Sequence, residues 1–123
     1  MGKPGNTGFR RLLNATRYSA QGFRHAWQHE AAFRQEVTLT ILMLPLAFWL
    51  ARTALECLLL IASCLFVIVV ELLNSAVEAT IDRMGTDHHP LSGRAKDLGS
   101  SAVFVSLVLA AATWGTVAFL RFA

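Results

Sequence analysis

The sequence predicts an all-α membrane protein in which three transmembrane helices follow an N-terminal amphipathic surface helix. The 123 residues are 54% hydrophobic and only 15% charged, which is unusual for a soluble domain of this size. Three apolar stretches, with their flanking residues, are long enough to cross a bilayer. A fourth segment ahead of them is amphipathic with a helical period. A chain of this length favours one domain, so residues 1–123 are expected to form a single integral-membrane unit.

The N-terminal segment, residues 9–28, predicts a helix that lies on the membrane surface. Its apolar stripe falls within roughly 80° of a helical wheel and comprises Phe9, Leu12, Leu13, Thr16, Ala20, Phe23 and Trp27. Basic and amide side chains occupy the other faces. A basic face opposite an aromatic stripe is typical of interfacial helices, although an ordinary packed helix has the same pattern. The glycines and Pro4 of residues 1–8 predict no regular element there.

The membrane helices are predicted at residues 31–51, 54–82 and 98–120. The first has only fifteen uncharged residues, so it must begin with Arg34 and Glu36 at headgroup depth. The second contains fourteen residues without a charge, Cys57 to Val70, and its helical pattern continues beyond the hydrocarbon.

A polar loop is expected at residues 85–97, between the second and third membrane helices. Nine of the eleven Lys and Arg residues lie before residue 37 or within residues 83–97. This bias predicts that the N-terminus and that loop face the cytoplasm. Nucleic acid is excluded as a partner, because so much apolar surface requires lipid. Soluble nucleotide-binding signatures, such as a phosphate-binding loop with its lysine or a dinucleotide fingerprint, are missing from the sequence.

Polar residues follow the second apolar run at steps of three and four. Glu71, Asn74, Glu78 and Asp82 share an arc of roughly 80° on one helix. Carboxylates beside lipid are costly and usually functional. Magnesium with phosphates needs one or two carboxylates, and phosphoryl transfer needs charge neutralisation and a base near the attacking hydroxyl. The stripe, together with the basic residues expected at the same face, therefore suits phosphoryl transfer at the cytoplasmic face.

Four ordered motifs resemble the prokaryotic diacylglycerol kinases, a family of small integral-membrane lipid kinases. They are Glu30-Ala-Ala-Phe-Arg-Gln-Glu36, Glu71-Leu-Leu-Asn-Ser-Ala-Val-Glu78, Ile81-Asp-Arg-Met-Gly85 and Leu91-Ser-Gly-Arg-Ala-Lys-Asp97. The resemblance runs from Gly8 to the third membrane helix. It implies a homotrimer with active sites shared between neighbouring subunits, in the cytoplasmic (inner) membrane of a bacterium. The implied reaction converts Mg²⁺-bound ATP and diacylglycerol to ADP and phosphatidic acid.

The resemblance also implies roles for individual residues. Glu71 corresponds to the general base, and Glu30 and Glu78 to the magnesium ligands. The implied ATP-binding residues are Arg11, Tyr18, Glu30, Glu78, Asp87, His88, His89, Lys96 and Asp97. The implied lipid-binding residues are Arg11, Ser19, Arg24, Trp27, Arg34, Glu36, Glu71, Ser100 and Trp114. Asn74 and Asp82 correspond to supporting polar groups. The chain departs from the family pattern at Ala20, where an aromatic is expected, and at Pro90, where an acid is expected.

Other interpretations remain open at this point. A polyprenol such as undecaprenol could replace diacylglycerol as the substrate, since the sequence does not decide the chain type of the lipid. A non-enzymatic membrane oligomer could use the acidic stripe as an ion path, but Cys57–Val70 and Ala102–Leu120 carry few polar groups to continue it. Glu30 could simply pair with Arg34, and the two tryptophans could be packing residues.

Overall fold

The protein folds into four α-helices in a computed structural model that describes residues 7–85 and 87–123. They are α1 (Gly8–His29), α2 (Ala31–Leu50), α3 (Ala54–Met84) and α4 (Pro90–Phe122). Helices α2, α3 and α4 are long and apolar enough to cross a membrane, as the sequence predicts. Of the tail expected at residues 1–8, residues 1–6 lie outside the described residues, and Gly8 already begins α1.

A single extended residue, Glu30, separates α1 from α2. Its φ and ψ of −117° and 104° break the helix, while its backbone N–H still donates to the carbonyl of Ala26. Behind this corner Ala26 and Phe33 are buried, and the rings of Phe23 and Phe33 lie 6.5 Å apart. The chain therefore turns from α1 into α2 on a small apolar contact, with the Glu30 carboxylate at the bend.

The connection between α2 and α3 is fixed by polar bonds at its ends. The Thr53 hydroxyl accepts a hydrogen bond from the Glu56 N–H at 3.1 Å and caps α3. Arg52 pairs with Glu56 at 2.8 Å and also donates to the carbonyl of Leu120 at 3.2 Å. These contacts tie the short turn to the last turn of α4.

The third membrane helix begins eight residues earlier than the sequence predicted. Residues 90–97, expected in a polar loop, instead form the first two turns of α4, and Pro90 is its first residue. Proline suits that position because its missing N–H would be unpaired there. The His89 side chain accepts the Leu91 N–H at 3.0 Å, which caps the helix. Lys96 and Asp97 are therefore held on a helix rather than in a loop.

Helices α2, α3 and α4 pack around a small core near the α2–α3 turn. The core consists of Ala47, Leu50, Leu60 and Val117. Deeper in the spans, Ser63, Ser106 and Thr113 each donate to a carbonyl of their own helix at 2.7–2.8 Å. Such self-satisfied hydroxyls are compatible with an apolar environment.

Removing the cap of α3 tests the fold directly. We expect Thr53→Ala to lower the free energy of unfolding by about 1 kcal/mol, because the Glu56 N–H loses its acceptor. Thr53→Ser keeps the hydroxyl and should retain most of the stability. Reversible unfolding of both variants in mixed micelles measures the difference. An unchanged Thr53→Ala protein would show that the cap contributes nothing.

Candidate active site

Glu71 is the only acidic or basic residue among the buried side chains of the described chain, with a relative exposure of 5%. It follows directly on the apolar run of α3 and lies on the same stripe as Val67, which is also buried. An isolated carboxylate in such surroundings is costly in free energy, so its position calls for a functional explanation.

Three further glutamates surround Glu71 and form, with it, what we call the acidic cluster: Glu30, Glu36, Glu71 and Glu78. The charges of Glu78 and Glu30 act on Glu71, and the charge of Glu71 acts on Glu36. Within residues 7–85 and 87–123, ion pairs are found for Glu56 and Asp82 but for no member of this cluster. Among the described residues, four neighbouring carboxylates therefore have no ion-pair partner.

Asn74 links the acidic cluster to α4. Its side-chain amide donates to a Glu78 carboxylate oxygen at 3.2 Å. The other end of the amide lies against Gly99 of α4, where a β-carbon would collide with it. The Asn74 Oδ1 atom is buried and has no hydrogen-bond partner in the described chain. The missing side chain of Gly99 therefore allows Asn74 to reach Glu78.

A cavity of about 430 Å³ lies between α1 and α3, and we call it the α1–α3 cavity. Glu30 and Ser19 line it from the N-terminal side, and Leu72 and Ser75 line it from α3. Ser19 donates to the Ala15 carbonyl at 2.9 Å. The Ser75 hydroxyl, one turn beyond Glu71, is buried and has no hydrogen-bond partner among the described residues. Two residues predicted from sequence, Glu30 and Ser19, thus share one apolar-walled groove.

A smaller cavity of about 160 Å³ lies between α2, α3 and α4, and we call it the α2–α4 cavity. Glu36 and Trp114 line it, together with Thr40, Cys64 and Val67. Glu36 Oε2 and the Trp114 indole N–H are both buried and unpartnered within the described residues. The structure therefore brings together two residues that were predicted to contact lipid, 78 positions apart in sequence.

A third cavity, of about 440 Å³, opens at the turn between α3 and α4, and we call it the turn cavity. It gathers five of the predicted polar residues: Asp82, Asp87, His88, His89 and Lys96. Lys96 bonds to Asp82 at 3.1 Å, and both side chains are largely exposed. The Nδ1 atom of His89 caps α4, so His88 and His89 lie directly at the N-terminus of that helix.

Other predicted residues lie outside these groups. Arg11, Arg24, Asp97 and Ser100 are exposed and line none of the three cavities. Tyr18 is half-buried on α1. Arg34 donates to the Trp27 carbonyl at 2.7 Å rather than pairing with Glu30, and Trp27 is 47% exposed.

Two residues at the site were missed by the sequence analysis. Ser75 lies four positions after Glu71, so the helical period that selected the acids could also have selected it. The sequence around Gly99 contains no pattern that marks it as part of the site, because its role depends on its contact with Asn74 of α3. Close approach between helices at a glycine is visible only in the packed structure.

Comparison with known proteins shows the family of this chain. A profile of the family described as prokaryotic diacylglycerol kinase matches residues 17–118. The chain belongs to the prokaryotic diacylglycerol kinase family. Its assignment as a lipid kinase by sequence is thereby confirmed, and all four motifs that carry the resemblance lie inside the matched range.

Several curated relatives named diacylglycerol kinase cover most of this family member. The Pseudomonas aeruginosa protein is 52% identical, with 92% of both chains covered. The Haemophilus influenzae protein is 49% identical over 92% of this chain and 96% of its own. The Escherichia coli K12 protein is 50% identical over 88% of each chain. The similarity is therefore to whole proteins rather than to a shared fragment.

Filling the gap at Gly99 should impair this kinase-family protein through Asn74. In Gly99→Ala the new methyl group displaces the Asn74 side chain and breaks its bond to Glu78, so we expect lower phosphotransfer activity. Gly115→Ala, in the same helix but facing open space, is the matched control. Initial rates in micelles at equal protein amounts measure both. Equal rates for the two variants would contradict this role of Gly99.

Proposed function

We propose that the protein transfers the γ-phosphoryl group of ATP to the hydroxyl of diacylglycerol, yielding phosphatidic acid and ADP. The reaction takes place at the cytoplasmic face of a bacterial inner membrane. The observation that carries the proposal is the burial of Glu71 among uncompensated carboxylates where the apolar run of α3 ends. Membership of a lipid kinase family supports it, as do relatives that bear the name diacylglycerol kinase.

Glu71 acts as the general base in this proposal. The hydroxyl of diacylglycerol is held at headgroup depth by the acyl chains, and a carboxylate at the end of a membrane helix can meet it there. Glu71 takes the proton as the hydroxyl oxygen attacks the γ-phosphorus and the bond to ADP breaks. Its buried position keeps water away from the base, and water would otherwise compete with the lipid hydroxyl as acceptor of the phosphoryl group.

Glu30 and Glu78 are suited to hold Mg²⁺ with the nucleotide. Their carboxylates form no ion pair in the described chain, so a divalent cation would relieve the repulsion in the acidic cluster. The described residues contain no group of three or more ligands that could hold a metal alone. That fits Mg²⁺, which takes one or two carboxylates and completes its shell with phosphate oxygens and water. When bound there, the ion would neutralise charge on the phosphates.

The turn cavity is the proposed site for the nucleotide. Lys96 supplies a flexible positive charge for phosphate oxygens. Its present bond to Asp82 is exposed, and such a pair is worth at most about 1 kcal/mol, so phosphate can replace the carboxylate. Asp87, His88 and His89 line the same cavity. Arg11, Tyr18 and Asp97 are proposed nucleotide contacts on the family resemblance.

The lipid is proposed to lie against the α2–α4 cavity and the membrane-facing side of α1. Glu36 supplies a carboxylate oxygen without a partner among the described residues for the glycerol part, and Trp114 is a proposed contact deeper along the acyl chains, between apolar walls. The remaining proposed lipid contacts rest on the family resemblance, and they are Arg11, Ser19, Arg24, Trp27, Arg34 and Ser100.

The placement in the membrane is part of the proposal. The N-terminus and the α3–α4 turn face the cytoplasm, in line with the basic residues near both. Helix α1 lies in the interface, since Phe9, Leu12 and Phe23 expose more than half of their surfaces. A homotrimer with shared sites would close the three open cavities between subunits. Native mass spectrometry that releases only monomers from mild detergent would count against the trimer.

Neutralising Glu71 should remove activity without unfolding the protein. We expect Glu71→Gln to lower kcat by about a hundredfold or more, because the amide has the same shape but cannot accept the proton. Glu56→Gln, on the same helix near its opposite end, is the control and should keep near-native turnover. Steady-state rates with saturating ATP and diacylglycerol decide between them. A Glu71→Gln enzyme with native kcat would remove the proposed base.

The choice of lipid can be tested in the same micelles. We expect radiolabel from ATP to enter diacylglycerol faster than undecaprenol, and we expect a chelator of Mg²⁺ to stop incorporation. Preference for undecaprenol would make the protein a polyprenol kinase with the same base. Incorporation that persists without divalent ions would overturn the role given to Glu30 and Glu78. No incorporation into either lipid would leave the non-enzymatic oligomer as the better explanation.

A further inference from the structure

The last turns of α1 carry a histidine pair that the proposed kinase reaction does not use. His25 and His29 are spaced i, i+4 on α1, and both are exposed. Their ring centroids lie 4.4 Å apart with a 45° angle between the planes. Histidines at this spacing face the same side of a helix, which is the arrangement that lets two imidazoles bind one metal ion.

The ring separation suits chelation by both residues. Zinc binds imidazole nitrogen at about 2.0–2.1 Å, so two nitrogens on a tetrahedral ion are about 3.4 Å apart. Side-chain rotations of the two neighbouring rings can reach that separation without moving the helix. Imidazole favours zinc, copper and nickel, whereas magnesium favours oxygen ligands. A metal on this pair would therefore be chemically distinct from the Mg²⁺ of the acidic cluster.

The surroundings of the pair favour a cation. His29 is in the last turn of α1, where the carbonyl ends of the helix carry partial negative charge. His25 also lines the α1–α3 cavity together with Glu30, a carboxylate without an ion pair in the described chain.

We propose that His25 and His29 form a two-histidine site for a borderline divalent metal ion such as Zn²⁺. Water completes the coordination, since the described residues contain no third ligand close enough to join them. The site opens on the wall of the cavity that contains Glu30. Occupancy there places a second positive charge beside a carboxylate of the acidic cluster and slows phosphotransfer.

The test is a calorimetric titration of the full-length protein in detergent with Zn²⁺ alone. The wild-type chain should bind one ion per subunit at this site, and His25→Gln should weaken binding about tenfold or more, since even groups that only orient metal-bound histidines are worth that much. The matched control is the double variant Gln21→His, His25→Gln, which we call the shifted variant. It moves one imidazole along the helix and keeps the composition of α1. It separates the rings by about 12 Å along the helix, too far for one ion.

A second measurement protects the result against misfolding. With Cu²⁺ the wild type should give an electron paramagnetic resonance spectrum with two equivalent nitrogens, and the shifted variant a spectrum with one. Circular dichroism verifies that the shifted variant keeps its helices. Equal zinc affinity for the wild type and the shifted variant, or identical copper spectra, would overturn the proposed site.

The effect on activity rests on the proposed function and is measured separately. Zn²⁺ added to Mg²⁺ and ATP should inhibit the wild type more strongly than the shifted variant. Binding that is lost in the shifted variant, together with equal inhibition of both proteins, would refute the link to Glu30 while leaving the metal site intact. A wild-type protein without kinase activity would refute the proposed function, and the calorimetric result would still decide the metal site.

Discussion

The structure depends on holding a carboxylate out of water at the point where a membrane helix leaves its apolar stretch. Burying a charge without a partner is expensive, and bringing like charges near it adds to the cost. Glu71 experiences both effects, since it is buried and the charges of Glu30 and Glu78 act on it. If Glu71 served only the stability of the fold, an apolar residue would be the better choice at this position. Replacing buried ionic groups by apolar residues of similar size often makes a protein more stable. The arrangement is therefore best explained by the chemistry it permits.

Several features of the fold maintain that arrangement. The break at Glu30 ends α1 and directs its carboxylate toward α3, while the apolar contact of Phe33 holds the bend. Gly99 lets α4 approach closely enough for Asn74 to lie between the helices and donate to Glu78. The early start of α4 brings Lys96 to the end of α3. The acids are thus positioned by backbone geometry, and basic side chains reach only the rim of the site.

The helices and the acidic stripe were predictable because they depend on local periodicity. Glu71 and Glu78 are on one face of α3 by spacing alone, and the apolar run before them marks the membrane. The start of α4 was mispredicted because polar composition outweighed the signals of Pro90 and the capping His89. The three cavities could not be derived, since they join residues from different helices. Glu36 and Trp114 line one cavity only because α2 and α4 both pack against α3 and border the same space, and the sequence pattern does not specify that packing.

The hydroxyl groups in the spans have a consequence for the membrane in which the protein sits. Ser63, Ser106 and Thr113 each donate to a carbonyl of their own helix, so none of the three points a free proton toward another. Transfer of protons along a file of hydroxyls requires each group to donate to the next one, and these bonds would first have to break. These three groups therefore provide no ready path for protons along the spans between the acidic cluster and the α2–α3 turn.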